Sequence, residues 1–467
     1  MQKEKSALIF EIENDNKLLD FTTYDNVPIW MLSRWYLLHD IVGGKLLGYK
    51  SPDRVRGINK KTINYLGRAF VHNISNCSKQ NNKEILLYST NRKTFFNGKF
   101  FNRYVDQLYL EFQNESCIVE QATLEWDWPF PRTSTNVYFD ACAQVCGACV
   151  SSVYYKRDYE SVYEMLRYFS RRVYKIAGLL FSNDEIHGYA VSISKFIVRM
   201  RYMARWMKKM LPQSIKVVII VGAGFPYYYF MNQALKEKKI VSVELQHGYI
   251  NGNNIMYNYA DAIVNDERVK KGLPDYMLTY GEWWSNQINC PLTKVSIGNP
   301  YRQLCMENIN HVSKDNRNLV VIGIGENTEK YIEFVKKICE KFPQYNVKFR
   351  PHPGERDVAV NVINKMDYEI ILDNNIDIYE TLANTSVIIG EVSTVLFEAI
   401  GIVNSIFLWN TEYSKTYLPK HPFKCFETIE ELEKLVNSNL EVDGDSGLFW
   451  AENWNKKYSE FIQKVIN

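Results

Sequence analysis

KFRPHPGE at Lys348–Glu355 and IIGEVSTVLFEA at Ile388–Ala399 decide the fold. Each is a short apolar run that breaks into a polar turn just before a helical pattern. That is how a strand of a parallel sheet hands its carboxyl end to a loop and then to a crossover helix. The same alternation surrounds both. Leu319–Ile322 reads as a strand ending in GIGEN, Thr328–Phe342 as a helix, and Val347–Phe349 as the strand before RPHPGE. Glu369–Leu372 (strand), Ile376–Ala383 (helix), Val387–Ile389 (strand), Val395–Ile400 (helix) and Ser405–Leu408 (strand) continue it. Regular alternation of this kind predicts a doubly wound α/β domain.

Upstream the pattern returns. KVVIIV at Lys216–Val221 is a buried-strand run followed by Gly222, Ala223 and Gly224, then a helical stretch Pro226–Glu237. IVSVEL at Ile240–Leu245 runs straight into Gln246, His247 and Gly248, and Tyr276–Tyr280 ends in Gly281 and Glu282. Lys83–Thr90 reads as the first strand and Asp106–Phe112, DQLYLEF, as another. Near the N-terminus, Thr22–Val42 reads as a turn and an amphipathic helix carrying Trp30, Trp35 and Leu38. Between Val295 and Arg317 a strand, a Gly-Asn-Pro turn and a polar passage read as a linker. The boundary falls near Asn310. Residues 1–310 form one domain with a helical insertion at about 159–211, and residues 311–467 form a second whose final helix, Trp450–Val465, crosses back.

At 467 residues, with 46% apolar and 14% aromatic side chains, the chain has enough apolar surface for two or three cores and is not a disordered polymer. A formal charge of +3 argues against a duplex nucleic-acid binder. Nine scattered cysteines fit a reducing compartment better than a disulfide scaffold. The apolar run at Ala7–Phe10 is too short for a signal-peptide core, and Val387–Trp409, the most apolar region, is interrupted by Glu391 and Glu398. A cytoplasmic protein is expected, peripheral at a membrane at most. Cys142, Cys146 and Cys149 have a CxxxCxxC spacing that also holds iron–sulfur clusters, but they share one helix face, and core packing is the simpler expectation. In SKFIVRMRYMARWMKKML, Phe196, Met200, Met203, Met207 and Met210 form one stripe and Arg201, Arg205 and Lys208 another. Packing of the Met stripe on a core is the plain account, and docking on an anionic membrane is the functional alternative.

Ligands of open parallel sheets bind beyond the carboxyl ends of the strands, so the turns there carry the chemistry. On the second sheet, Arg350 and His352 can donate to phosphate oxygens, Ser393 and Thr394 open a helix, and Gly323 and Gly325 let the backbone approach closely. Each also has a structural account: His352 before Pro353 as a turn residue, Ser393 and Thr394 as an N-cap, Gly323 as a strand-to-helix turn. No paired aspartates at short spacing suggest a metal. On the first sheet, Gly222, Gly224, Gln246, His247 and Gly248 stand at strand ends.

Taken together, HG, GNP, RPHP and the Glu-x-Ser-Thr turn before FEAIG resemble GT-B glycosyltransferases of bacterial surface polysaccharides. The His-Pro and Ser-Thr pair is similar to that of sialyl-, polysialyl- and Kdo-transferases of capsules and of the CDP-glycerol glycerophosphotransferases. The resemblance spans about residues 215–410. It implies two Rossmann-like domains facing across a cleft, and an inverting, metal-independent, cofactor-free transfer from a nucleotide sugar, CMP-linked by preference, to a glycan or lipid-linked glycan acceptor. It also implies donor contacts from Gly323, Gly325, Arg350, His352, Pro353, Ser393, Thr394 and Glu398, with Glu391 holding ribose or base and His352 assisting the leaving nucleotide. The acceptor side would be Gly222, Gly224, Gln246 and Gly248, with His247 or Glu244 as general base. The acidic base motif of the sialyltransferases is absent. A CDP-alcohol phosphotransferase, a UDP-sugar transferase or epimerase, and a non-enzymatic assembly adaptor on the 159–211 helices are the alternatives.

Overall fold

The protein is described from a computed structural model covering residues 5–47, 59–76, 82–90, 93–122, 126–309, 317–325, 327–375, 377–438 and 445–467. Asn310 and Glu326 lie outside the described residues.

Seven parallel strands form the first sheet: β1 (Ile85–Ser89), β2 (Ser116–Glu120), β3 (Val137–Phe139), β4 (Val217–Val221), β5 (Val241–Leu245), β6 (Tyr276–Thr279) and β7 (Thr293–Ser296), in the order 3-2-1-4-5-6-7. Six parallel strands form the second: β8 (Asn318–Ile322), β9 (Asn346–Arg350), β10 (Ile371–Leu372), β11 (Val387–Gly390), β12 (Ser405–Trp409) and β13 (Lys424–Phe426), in the order 10-9-8-11-12-13. Both are Rossmann orders, with the direction of winding reversing between β1 and β4 and between β8 and β11. Two such domains facing across a cleft make the GT-B arrangement.

Alternation along the strands explains the layers. Leu86, Tyr88, Val218 and Ile220 face a core shared with Met165, Phe169, Met200 and Met207 of two long helices, Lys156–Ala177 and Asn183–Met210. Ile85, Leu87, Val217 and Ile219 face the opposite core, with Tyr65 and Ala69 of the Lys60–Asn76 helix. The final helix, Trp454–Ile466, belongs to that second core: Phe461 lies 5.4 Å from Tyr276, ring to ring, and Tyr458 5.6 Å from Phe112. The chain therefore ends on the first sheet after building the second. Near the N-terminus, the helix Ile29–Trp35 continues into a π-helix, Tyr36–Gly43. It is anchored by a buried pair in which Arg34 Nε and Nη2 donate to Glu13 at 2.6 and 2.8 Å.

Three expectations are corrected. Asp106–Glu111 is a helix, not a strand, because Val105, Leu108 and Tyr109 bury at i, i+3 and i+4. Pro300–Ile309 is also a helix where a polar passage is expected: Asn299 Oδ1 accepts from the Arg302 N–H at 3.1 Å, so Gly-Asn-Pro reads as a cap followed by proline in the first turn. The cysteine face does not pack inward, since Cys146 and Cys149 are exposed while Ala143, Gly147 and Ser151 are buried. On the Asn183–Met210 helix the plain account holds, and of the basic stripe two residues are engaged by acidic partners while Arg205 is exposed. Arg201 is buried against Asp25 at 2.7 Å and Asp158 at 3.1 Å, and Lys208 pairs with Glu237 at 2.7 Å, while Met200, Met203 and Met207 are core residues.

Candidate functional site

Strand β5 delivers two side chains of opposite character. Glu244 points into the protein and is fully buried, accepting hydrogen bonds from the Gly224 N–H and, at 2.8 Å, from the Tyr257 hydroxyl. Burial pushes its carboxyl up to about 8, against the lowering effect of these donors and of the Gly222 backbone. Just past the strand, His247 turns outward, and its Nδ1 lies 3.8 Å from Glu244 Oε1. The imidazole is bracketed by Tyr104 and Phe225, with ring centroids 6.2 and 5.8 Å away. Gly222, at φ +89°, bends the backbone behind this pair, and a side chain at Gly224 would press on Tyr257 at 3.3 Å.

His247 lines two cavities. One is the cleft between the sheets, a narrow space of about 70 Å³. Its first-domain wall includes Arg103, Gly248, Tyr280 and Asn299, and its second-domain wall Tyr379, Thr394 and Glu398. The other is a chamber of about 640 Å³ beyond the carboxyl ends of β1 to β5, with Gln121, Asp140, Gln144, Arg199 and Trp126 around it. Its polar groups form one network: Gln144 donates to Asp140 at 2.9 Å and accepts from Arg199 at 2.8 Å and from Tyr227 at 2.7 Å. In the cleft, burial raises the Glu398 carboxyl and the Arg103 charge offsets part of that.

The remaining sequence candidates divide by what they touch. Gln246 is buried and binds backbone, accepting from the Tyr280 N–H and donating to Gly248 O at 2.8 and 2.9 Å, so it joins two strand ends. Arg350 is committed to Asp373 and donates to Thr381 at 2.9 Å. Glu391 is buried, accepting from Tyr331 and Thr411. Ser393 caps its helix, accepting from the Val395 N–H at 3.2 Å, and that helix, Thr394–Glu398, is only 5 residues long, so the field at its start is slight.

His352 and Pro353 form an exposed turn that does not line the cleft, so His352 and His247 do not share this cavity. The cause is Glu355. Its buried carboxylate accepts from the His352 N–H at 2.8 Å, the Gly325 N–H at 3.1 Å and the Thr328 hydroxyl at 2.7 Å, folding the RPHPGE turn onto the loop after β8. A side chain at Gly323 would meet Glu355 Oε1 at 2.3 Å, so this glycine makes room for a carboxylate of the protein itself. Sequence reasoning missed Arg103, Tyr280, Asn299, Tyr301 and Tyr379. Asn299 carried a signal, the GNP motif, but Arg103 follows a hairpin that periodicity does not resolve. Among the described residues, no three His, Cys, Asp or Glu side chains stand together as a metal site.

No protein-family model and no curated protein sequence matches the chain. Among solved structures it is similar to S. aureus MnaA with UDP, at 13% identity over 82% of this chain and 97% of that one, TM-score 0.46. It is also similar to a UDP-GlcNAc 2-epimerase from Neisseria meningitidis bound to UDP-GlcNAc, at 11% identity over 82% and 99%, TM-score 0.43. A third is the wall teichoic acid polymerase TagF soaked with CDPG, at 10% identity over 88% and 98%, TM-score 0.43. The fold assignment rests on the two strand orders themselves.

Proposed function

We propose that the protein is a nucleotide-sugar-dependent transferase that builds a surface glycan, with His247 as the general base. The carrying observation is the position of that imidazole: backed by the buried Glu244 carboxyl group, it is shared by the interdomain cleft and the 640 Å³ chamber. A transferase needs its base between donor and acceptor, and the 640 Å³ chamber gives a second substrate room that a one-substrate epimerase does not require.

In this reading the acceptor hydroxyl, held in the chamber, attacks the anomeric carbon of a donor in the cleft. The bond from that carbon to the phosphate oxygen breaks, its electron pair leaves with the nucleotide, and the hydroxyl proton passes to His247 Nε2. Attack opposite the leaving group inverts the anomeric centre. Glu244, on the Nδ1 side, orients the ring and stabilises the imidazolium. Arg103 supplies positive charge for the departing phosphate and Thr394 a hydroxyl. Glu398, rather than Glu391, is the carboxyl available to hydrogen-bond a sugar hydroxyl. His352, on the exposed rim of the second sheet, is a donor contact once the cleft widens.

A membrane surface is a fitting partner, though through a different helix from the basic stripe. No described helix is long and apolar enough to cross a bilayer. The Lys60–Asn76 helix, however, exposes Ile63, Phe70, Val71 and Ile74 to 58–63% along one stripe, and its charged residues are all basic: Lys60, Lys61 and Arg68. An exposed apolar stripe with cationic flanks suits an anionic lipid interface.

The test is a thermal-shift panel of CMP, CDP, UDP and GDP, followed by His247→Ala. One nucleotide should raise Tm by mass action, and the variant should keep that shift while losing transfer. Absence of any shift, or full transfer by the variant, would sink the assignment.

A further inference from the structure

A second chamber, of about 520 Å³, opens beside the first between the N-terminal helices and the Asn183–Met210 helix. Its walls are the apolar or aromatic faces of Leu32, Trp35, Ile193, Phe196, Phe225 and Tyr227. Two of the polar groups at its edge have partners within the protein. The Ser33 hydroxyl donates to Ile29 O at 2.8 Å, and Asp40 is paired with His39 at 2.8 Å. A concave space of this size lined mainly by aromatic and aliphatic side chains is the shape of a ligand pocket rather than of ordinary surface.

Two residues join it to the first chamber. Phe225 and Tyr227 line both spaces. Tyr227 is a boundary: its ring faces the apolar side, while its hydroxyl donates to Gln144 in the polar network at 2.7 Å. Phe225 stands 5.6 Å from Trp35 on one side and 5.8 Å from His247 on the other. An apolar room beside a mixed one, which leads to the base and carries the Asp140–Gln144–Arg199 cluster, matches an amphiphile, not a plain sugar, whose hydroxyls would find few hydrogen-bond partners against these rings.

We propose that this chamber holds the hydrocarbon chain of an amphiphilic acceptor whose polar head lies among Gln121, Asp140, Gln144 and Arg199. The placement of the head rests on the transferase reading; the chamber's preference for a chain does not. The π-helix Tyr36–Gly43 begins at the wall, and its Tyr36 and Asp40 belong to the lining.

The experiment uses octyl, decyl and dodecyl maltoside below their micelle concentrations, titrated calorimetrically into the full chain without nucleotide. Affinity should rise about three- to fourfold per added methylene. Ser192→Trp, on the exposed rim of the chamber, should flatten that series without burying a charge. A chain brominated near its end should quench wild-type fluorescence more than that of Trp35→Phe. Affinity independent of chain length overturns the proposal. So does a series unchanged by Ser192→Trp but abolished by Phe70→Ser, which would move the chain to the exposed stripe of the Lys60–Asn76 helix. A failed nucleotide shift strikes the transferase reading alone.

Discussion

Glu244 is the residue on which most depends, because desolvation and hydrogen bonding oppose each other there. Its carboxyl, ordinarily near 4.5, is pushed to about 8 in the folded chain. Between those values the folded state holds a proton that the unfolded state lacks, so stability falls as pH rises through that window. The slope for one such group is about 1.4 kcal/mol per pH unit. Urea unfolding at several pH values should show this slope reduced in Glu244→Gln. Activity should run the opposite way: the carboxylate that supports an imidazolium forms only above about 8, so kcat/KM should climb through that pH in the wild type, and the glutamine variant should lose the climb. An identical pH profile for both proteins would remove Glu244 from the mechanism. His247 is legible in the sequence because a strand runs into it; the direction of Glu244 is not, because alternation alone does not say which face of the sheet is buried against what.

At the scale of elements, the two strand-end motifs that reveal the fold supply only part of the cleft. RPHPGE is folded onto its neighbouring loop by Glu355, and Ser393 is spent on a cap. The cleft is lined by Tyr379, by Thr394 and Glu398 of the helix that the second motif opens, and by Arg103 and Asn299 from the first domain. Helices show the same separation of pattern from role. The Met stripe packs inward as periodicity suggests, and the exposed apolar face lies on the Lys60–Asn76 helix. Because Phe70 and Ile74 are 58% and 61% exposed, serine at both should change stability by no more than about 0.5 kcal/mol each. The double variant should nonetheless leave anionic vesicles in a sedimentation assay that retains the wild type. Equal retention would return that face to ordinary surface.

For the whole molecule, the decisive feature is the chain's return to the first sheet. Trp450 donates to Phe397 O at 3.0 Å and Trp284 to Phe449 O at 2.8 Å, so aromatic residues of the returning segment tie the domains together at the base of the cleft. Two glycines make the passage possible. Gly281 would meet Leu448 O at 2.4 Å if it carried a side chain, and Gly298, at φ +97°, would meet Ala451 O at 2.2 Å. Gly298→Ala should therefore cost roughly 2–5 kcal/mol, from a disfavoured backbone region and a clash with main chain. Denaturant unfolding measures this, and a loss below about 0.5 kcal/mol would show that the return segment yields. With about 70 Å³ of room, the cleft is closed to anything larger than a few waters, and a nucleotide sugar enters only if the domains part around this aromatic base.

By itself the sequence determined the α/β class, the positions of most strands and the place of His247 at a strand's carboxyl end, because buried parallel strands are continuous apolar runs and their ends are marked by Gly, Pro and polar residues. Only the tertiary structure decided which strand-end residues meet. Arg103, Tyr301 and Glu398 are far apart in the chain, and nothing local marks them as neighbours. Whether Arg350 or Glu391 faces a ligand or a protein partner depends on Asp373, Tyr331 and Thr411, which reach them across strands and helices. Local pattern fixes what an element is; the partners that satisfy its buried charges fix what is left for function.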